Sequence, residues 1–205
     1  MTRRRRTCLL AAVFAATFAV PAAAQRVVGT TGPVPAPVAL DITGLFQEKF
    51  ASVGDDVFIG GQPTERALRE LKAKGVTTVV NLRMPQEMAR IGFDEAALLK
   101  ELGLTYVSIP LGGTAENPYA PAALDRFAAT MAGAKGKVLL HCTIAWRASH
   151  LWGAYLIRDR KMPVAQALAH VRSVNLREDR PFGPQQPIEG FLGRTLPELQ
   201  RPKAQ

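Results

Sequence analysis

An α/β domain with a mostly parallel central sheet flanked by helices is what this sequence predicts, and three observations carry the prediction. Short β-branched or apolar runs alternate with longer segments of helical periodicity. Their order, β-α-β-α-β-α-β-α-α, implies parallel strands covered on both faces. The 205 residues are 47% hydrophobic and 21% charged, which suits one ordinary domain and excludes a disordered or collagen-like chain. No internal repeat is present, and no apolar run reaches the roughly 18 residues of a membrane span.

The first strand falls at 56–60 and stops at Gly60-Gly61-Gln62-Pro63. Thr64 is an N-cap for a helix to Lys74, with Ala67, Leu68 and Leu71 on one face and Gly75 as its stop. Residues 76–82 are β-branched and apolar and predict a buried strand. A helix follows at 93–102, ending at Gly103, and then a strand at 105–109. Pro121 opens a helix that ends near Gly133; residues 137–141 are the next strand and 148–158 the next helix. Pro163 suits the first turn of a last helix running to about Ser173. Ahead of these elements, residues 27–37 read as a flexible tether and 41–51 as a short helix or irregular lead-in, so the domain is placed at 53–200 with a tail at 201–205.

The start carries Arg3 to Arg6, an apolar stretch at 8–20 too short to span a bilayer, Pro21, and then Ala22-Ala23-Ala24. That order predicts a cleaved export signal over residues 1–24, hence a periplasmic or secreted protein without stable membrane insertion. The four arginines are compatible with twin-arginine export or the general route. Cys8 lacks the small and aliphatic residues that precede a lipidated cysteine and goes with the signal.

Removing four arginines and no acids takes the formal charge from +9 to +5. The remainder is uneven: residues 25–132 hold 10 basic and 12 acidic side chains, residues 133–205 hold 12 and 5. A basic C-terminal half favours anionic ligands. Nucleic acid is not expected, because no aromatic-interleaved basic stripe and no zinc-finger spacing occur. His141, His150 and His170 lack a metal-ligand pattern, and no dinucleotide or P-loop fingerprint is present, so neither metal nor cofactor is expected.

One cysteine is left, Cys142, which cannot form an intrachain disulfide in an oxidising compartment. It stands in Leu139-Leu140-His141-Cys142-Thr143-Ile144-Ala145-Trp146-Arg147-Ala148-Ser149. A buried strand delivers it to a tight loop, and Arg147 opens the next helix. Ligands of open α/β sheets bind beyond the carboxyl ends of the strands. A helix N-terminus there offers N–H groups and a positive dipole end to oxyanions, and the same field favours a thiolate. A guanidinium adds a fork for two phosphate oxygens. The alternative is a core cysteine at a strand end beside an ordinary helix arginine.

The chain resembles the bacterial protein tyrosine phosphatase family with a dual-specificity-like fold, in a branch with four rather than five residues between Cys and Arg. The resemblance runs from about Val57 to Val171 and rests on Gly60-Gly61-Gln62-Pro63-Thr64, residues 75–83 ending in Asn81-Leu82-Arg83, Ile109-Pro110, and His141-Cys142 through Arg147. It implies that Cys142 is the nucleophile of a thiophosphate intermediate and that Arg147 binds phosphate. It implies also that the amides of Thr143, Ile144, Ala145 and Trp146 hold the equatorial oxygens. His141 would orient the loop, or be a satisfied strand-end histidine; Ser149 would assist thiolate departure, or be a helix-start serine. Asn81 and Arg83 read as structural hydrogen-bonding residues first.

Two departures stand out. Ile144-Ala145-Trp146 replaces the small residues usual in such loops. Ala145 fits if its φ is negative, and Trp146 walls the pocket or stacks on an aromatic substrate. The general acid, usually an aspartate after the preceding strand, is missing between 109 and 120, where Glu116 is the one acid. Glu116 is therefore the candidate, with Asp125 expected to face solvent. Without an acid the chemistry would be slow or restricted to good leaving groups. The expected substrate is a phosphorylated protein or small molecule. A rhodanese-like sulfurtransferase and a non-catalytic phosphate- or partner-binding module are the other readings.

Overall fold

The computed structural model describes residues 32–175 and 187–200. The expected export signal at 1–24 and the expected tail at 201–205 lie outside the described residues. Six strands form one sheet: β1 (Pro37–Ala39), β2 (Phe50–Val53), β3 (Val57–Gly60), β4 (Val76–Asn81), β5 (Thr105–Ser108) and β6 (Lys137–His141), in the order β1-β2-β3-β6-β4-β5. The four strands from β3 to β5 are parallel, and β2 and β1 extend one edge antiparallel.

The parallel core follows from its sequence. Successive side chains point to opposite faces of a strand, and here both directions are apolar. Val138 and Leu140 of β6 join one cluster while Leu139 joins the other; Val57 and Ile59 of β3 part from Phe58 in the same way. Helices α4 (Pro121–Gly133), α5 (Trp146–Arg158), α6 (Val164–Arg172) and α7 (Pro187–Leu192) cover the first face. Helices α1 (Glu65–Ala73) and α3 (Glu95–Glu101) cover the second. A short helix, α2 (Pro85–Met88), follows β4, and α8 (Leu196–Gln200) ends the described chain. No helix among the described residues is long and apolar enough to cross a membrane.

Thr64 caps α1 as expected, its hydroxyl accepting from the Ala67 amide at 3.2 Å, and Gly75 takes φ +92° beyond the helix. The N-terminal stretch differs from its sequence reading. Residues 37–39 pair with β2 instead of ending a tether, and β2 itself begins at Phe50, within the expected lead-in. The reason is tertiary: Phe50 stacks on Phe46 at 3.8 Å and on Phe58 at 5.6 Å, giving an otherwise weak four-residue run a hydrophobic anchor. Helices α2, α7 and α8 were also not expected, being four, six and five residues long and too short to show periodicity.

Candidate active site

The four parallel strands finish in one row. Gly60 of β3, His141 of β6, Asn81 of β4 and Ser108 of β5 are register partners across the sheet. Whatever follows each strand therefore converges on the carboxyl edge: Gly61-Gln62, Leu82-Arg83, Ile109 to Leu111, and Cys142. That edge bears a cavity of about 440 Å³ lined by Cys142, Thr143, Ile144, Trp146, Arg147 and Glu87, among others. Cys142 is only 1% exposed, yet it lies in the cavity wall and not inside a sealed core.

The loop is held from three sides. The Gln62 amide donates to the Thr143 carbonyl at 2.9 Å, and Gly61 bridges to Ile144. Asn175, past the end of α6, donates its side-chain amide to the Ile144 carbonyl. Ser149 donates its hydroxyl to the Ala145 carbonyl at 2.9 Å and is fully buried, so the structure places it as a tie on the loop's exit and not among the cavity's lining residues. Thr143 and Ile144 point no amide at a backbone carbonyl among the described residues.

Ala145 corrects the sequence reading. Its φ is +66°, in the left-handed region, where the sequence reading required a negative angle. A turn with four residues between Cys142 and Arg147 reverses into α5 by this one residue, which costs an alanine about 1–2 kcal/mol. Ala145→Gly is accordingly expected to raise stability by about 0.5 kcal/mol in urea unfolding, the relief of the Cβ contact exceeding the added chain entropy. An unchanged or lower midpoint would show that the left-handed turn carries no such cost. Trp146 walls the cavity, edge-on to Tyr119 at 6.3 Å and to His150 at 4.4 Å between ring centroids.

Arg147 is 12% exposed, and both of its terminal nitrogens donate to protein acceptors. Nη1 donates to Glu87 Oε2 at 2.8 Å and to the Leu82 and Leu111 carbonyls at 3.2 and 2.9 Å; Nη2 donates to Glu87 Oε1 at 2.7 Å and Thr143 Oγ1 at 3.0 Å. The sequence reading missed Glu87. Burial raises its carboxyl, but hydrogen bonds from Arg147, the Met84 amide and Thr143 outweigh this and bring it to about 2. A signal for it existed: Pro85 after a strand end suits the first turn of a helix, and Glu87 two residues on sits where such a helix bonds its own start. That helix stands on the sheet edge that carries Cys142.

Glu116 lies elsewhere. It is not among the residues lining the cavity, its side chain is solvated, and hydrogen bonds to its own backbone and Thr114 lower its carboxyl, which keeps it ionised and not proton-bearing. Asp125 faces solvent and pairs with Arg158.

Behind Cys142 lies a second network that the sequence did not reveal. His141 is fully buried and its Nε2 stands 3.2 Å from Glu95 Oε1. Gln62 Nε2 and Asn81 Nδ2 each donate to Glu95 at 2.8 Å, and Arg83 donates to Gln62 Oε1 at 2.6 Å. Burial pushes the Glu95 carboxyl up, but the charge and hydrogen bond of His141, with those two donors, bring it below its ordinary range. Asn81 and Arg83 thus act as the structural hydrogen-bonding residues expected, around an acid that no local pattern marks as buried.

His150 is 1% exposed, and neither ring nitrogen has a partner among the described residues. Burial lowers it to about 3. The folded protein therefore holds His150 neutral while the unfolded chain takes up a proton below about 6.5. Its contribution is complete above that pH and is lost as pH falls from 6.5 toward 3, at up to about 1.4 kcal/mol per unit. His150→Leu is expected to flatten the fall in the urea midpoint between pH 7 and 5; an unaltered slope would overturn this.

A Cys-x4-Arg loop between a central parallel strand and a buried helix, on this sheet, defines a fold of the cysteine-phosphatase class, dual-specificity-like in form. No protein-family model matches the chain. Among solved structures, a candidate phosphatase of the DUF442 type from Shewanella putrefaciens CN-32 is 27% identical with a TM-score of 0.51, covering 62% of this chain and 79% of that one. TpbA of P. aeruginosa is 17% identical with a TM-score of 0.54, covering 80% and 94%. TpbA has also been solved, as a Cys-to-Ser variant, in complex with phosphotyrosine. PTPMT1 is 19% identical at a TM-score of 0.52, covering 68% and 88%. At 17% and 19% the likeness is one of fold. By sequence, the chain is 28% identical over 132 residues to a "Beta-lactamase hydrolase-like protein" of Xylella fastidiosa strain Temecula1, a match covering 62% of this chain and 30% of that protein.

Proposed function

We propose that the protein is an exported phosphatase that hydrolyses a phosphomonoester through Cys142. The observation that carries this reading is the meeting of Cys142 and Arg147 in one cavity beyond the carboxyl ends of parallel strands. The Cys142 thiolate attacks phosphorus, the S–P bond forms and the ester P–O bond breaks; water then attacks phosphorus, releasing phosphate and the thiolate. Arg147 and the loop amides stabilise the charge on the transferring group. The phosphotyrosine held by TpbA supports an aryl phosphate as probe. With Glu116 outside the cavity lining, the departing oxygen takes its proton from solvent, which favours aryl over alkyl esters. Export rests on the arginine-rich start and Ala22-Ala23-Ala24.

The occupied fork of Arg147 favours a second reading, a phosphate-binding module without turnover. The test is p-nitrophenyl phosphate hydrolysis in reductant by the parent and Cys142→Ser. Turnover in the parent, lost by a factor of about 10³ or more in Cys142→Ser, is expected. Iodoacetate should modify Cys142, and vanadate should protect it. Equal turnover in both proteins would sink the nucleophile assignment. Phosphate binding by both without turnover in either would favour the module. Thiosulfate-to-cyanide sulfur transfer, which is not expected, would point to a sulfurtransferase.

A further inference from the structure

The wall that backs the candidate active site also borders a second, larger cavity. It measures about 640 Å³, within the range of small-molecule sites. Its lining carries three arginines, Arg66, Arg83 and Arg90, against one carboxylate, Glu65. Phe46 and Phe93 add aromatic surface to the same lining.

These cations are unevenly compensated. Arg83 is 8% exposed, pairs with Glu87 Oε1 at 3.7 Å and donates through its terminal nitrogens to Gln62 Oε1 and the Glu87 carbonyl, while its Nε has no hydrogen-bond partner among the described residues. Taking a guanidinium out of water with an unmade hydrogen bond is costly. Among the described residues Arg66 has only a solvent-exposed contact to Glu70 at 3.6 Å and a long bond from Nη2 to the Thr43 carbonyl at 3.3 Å. Such a pair contributes little. The Arg90 side chain makes no ion pair or hydrogen bond among the described residues. Three guanidinium groups on an apolar-walled concavity are matched by a planar or tetrahedral oxyanion joined to an apolar body.

We propose that this cavity is a second anion-binding site, taking a phosphate or carboxylate group carried on an aromatic or aliphatic body. Arg66 and Arg90 hold the anion at the rim, Arg83 supplies charge from below, and Phe46 and Phe93 cover the apolar part. The anion is either a second acidic group of the molecule bound at Cys142 or a separate ligand. Both sources fit the geometry, because the two cavities share a wall: Gln62 and Arg83 line the second, while Gln62 donates to the Thr143 carbonyl and Arg83 reaches the Glu87 carbonyl at 3.1 Å. The proposal stands whether or not Cys142 turns over a substrate.

Phenylphosphonate is a suitable probe, since its P–C bond is not hydrolysed. It is titrated into the ¹⁵N-labelled full chain while backbone amides are followed by NMR. Expected are two saturable groups of shifts, one at Thr143 and Ile144 and one at Gly44, Gly92 and Phe93. In Arg66→Ala/Arg90→Ala the second group weakens by about tenfold or more while the first persists. Movement of the loop amides alone would overturn the proposal, as would second-group shifts that survive the double substitution or that sodium chloride reproduces at equal ionic strength. A xylylene bisphosphonate then separates the sources. Tighter 1:1 binding than phenylphosphonate assigns both anions to one molecule, and two independent equivalents of phenylphosphonate with no such gain assign a separate ligand.

Discussion

Arg147→Lys is expected to lower p-nitrophenyl phosphate turnover by about 10²–10³, a loss of about 3–4 kcal/mol in transition-state stabilisation. The guanidinium serves five acceptors on three separate segments: the Leu82 and Leu111 carbonyls, both Glu87 oxygens and Thr143 Oγ1. A lysine ammonium is a point charge with three donors and cannot span that set. The same substitution should show in stability against acid. Glu87 sits at about 2 in the folded protein, below the ordinary 4.5, so its contribution is present above 4.5 and is lost as pH falls through 2. Without the fork its carboxyl rises, and the acid-unfolding midpoint moves to higher pH. A lysine variant with parental turnover and an unmoved acid midpoint would remove Arg147 from both roles.

The second large effect is expected at Gly61. A Cβ built there would lie 1.8 Å from the Gln47 carbonyl oxygen and 2.8 Å from that of Thr143, and both obstacles are backbone. Neither can rotate away as a side chain would, so the strand end must part from the Gln47 segment and from the loop that carries Cys142. Gly61→Ala is therefore expected to cost about 3 kcal/mol or more and to abolish turnover. Gly133→Ala is the control, since its Cβ would meet nothing within 4 Å at the end of α4. Its urea midpoint should equal or exceed the parent's. If Gly61→Ala unfolds at the parental midpoint with full activity, the close approach of β3 to the loop is not what shapes the site.

Both effects show where local pattern stops informing. The distance from Cys142 to Arg147 and the strand before it are local facts, legible because 137–141 is apolar on both faces and the next helix begins within one turn. The short strand β3, its Gly60-Gly61 stop and the cap at Thr64 are local too. Glu87 and Glu95 are not. Glu87 is 60 residues from Arg147 and Glu95 46 from His141, and each meets its partner only because strand ends fall in register. Pro85 and Glu87 mark a helix start, but nothing there says that the half-buried Glu87 carboxylate meets Arg147, and nothing in Asp94-Glu95 marks Glu95 as buried. Glu116 shows the converse: the loop it occupies follows from the sequence, while the direction of its side chain does not.

The amino-acid order alone thus specified the α/β class, four core strands, five of the helices and the Cys142-to-Arg147 span, because hydrophobic periodicity, caps and breakers act over a few residues. The left-handed turn at Ala145, the carboxylate on Arg147, the acid behind His141 and the arginine-lined second cavity came from the folded chain. They depend on which distant segments the packed sheet brings to one edge, and charge pairing across 46 to 60 residues leaves no periodic trace in the sequence.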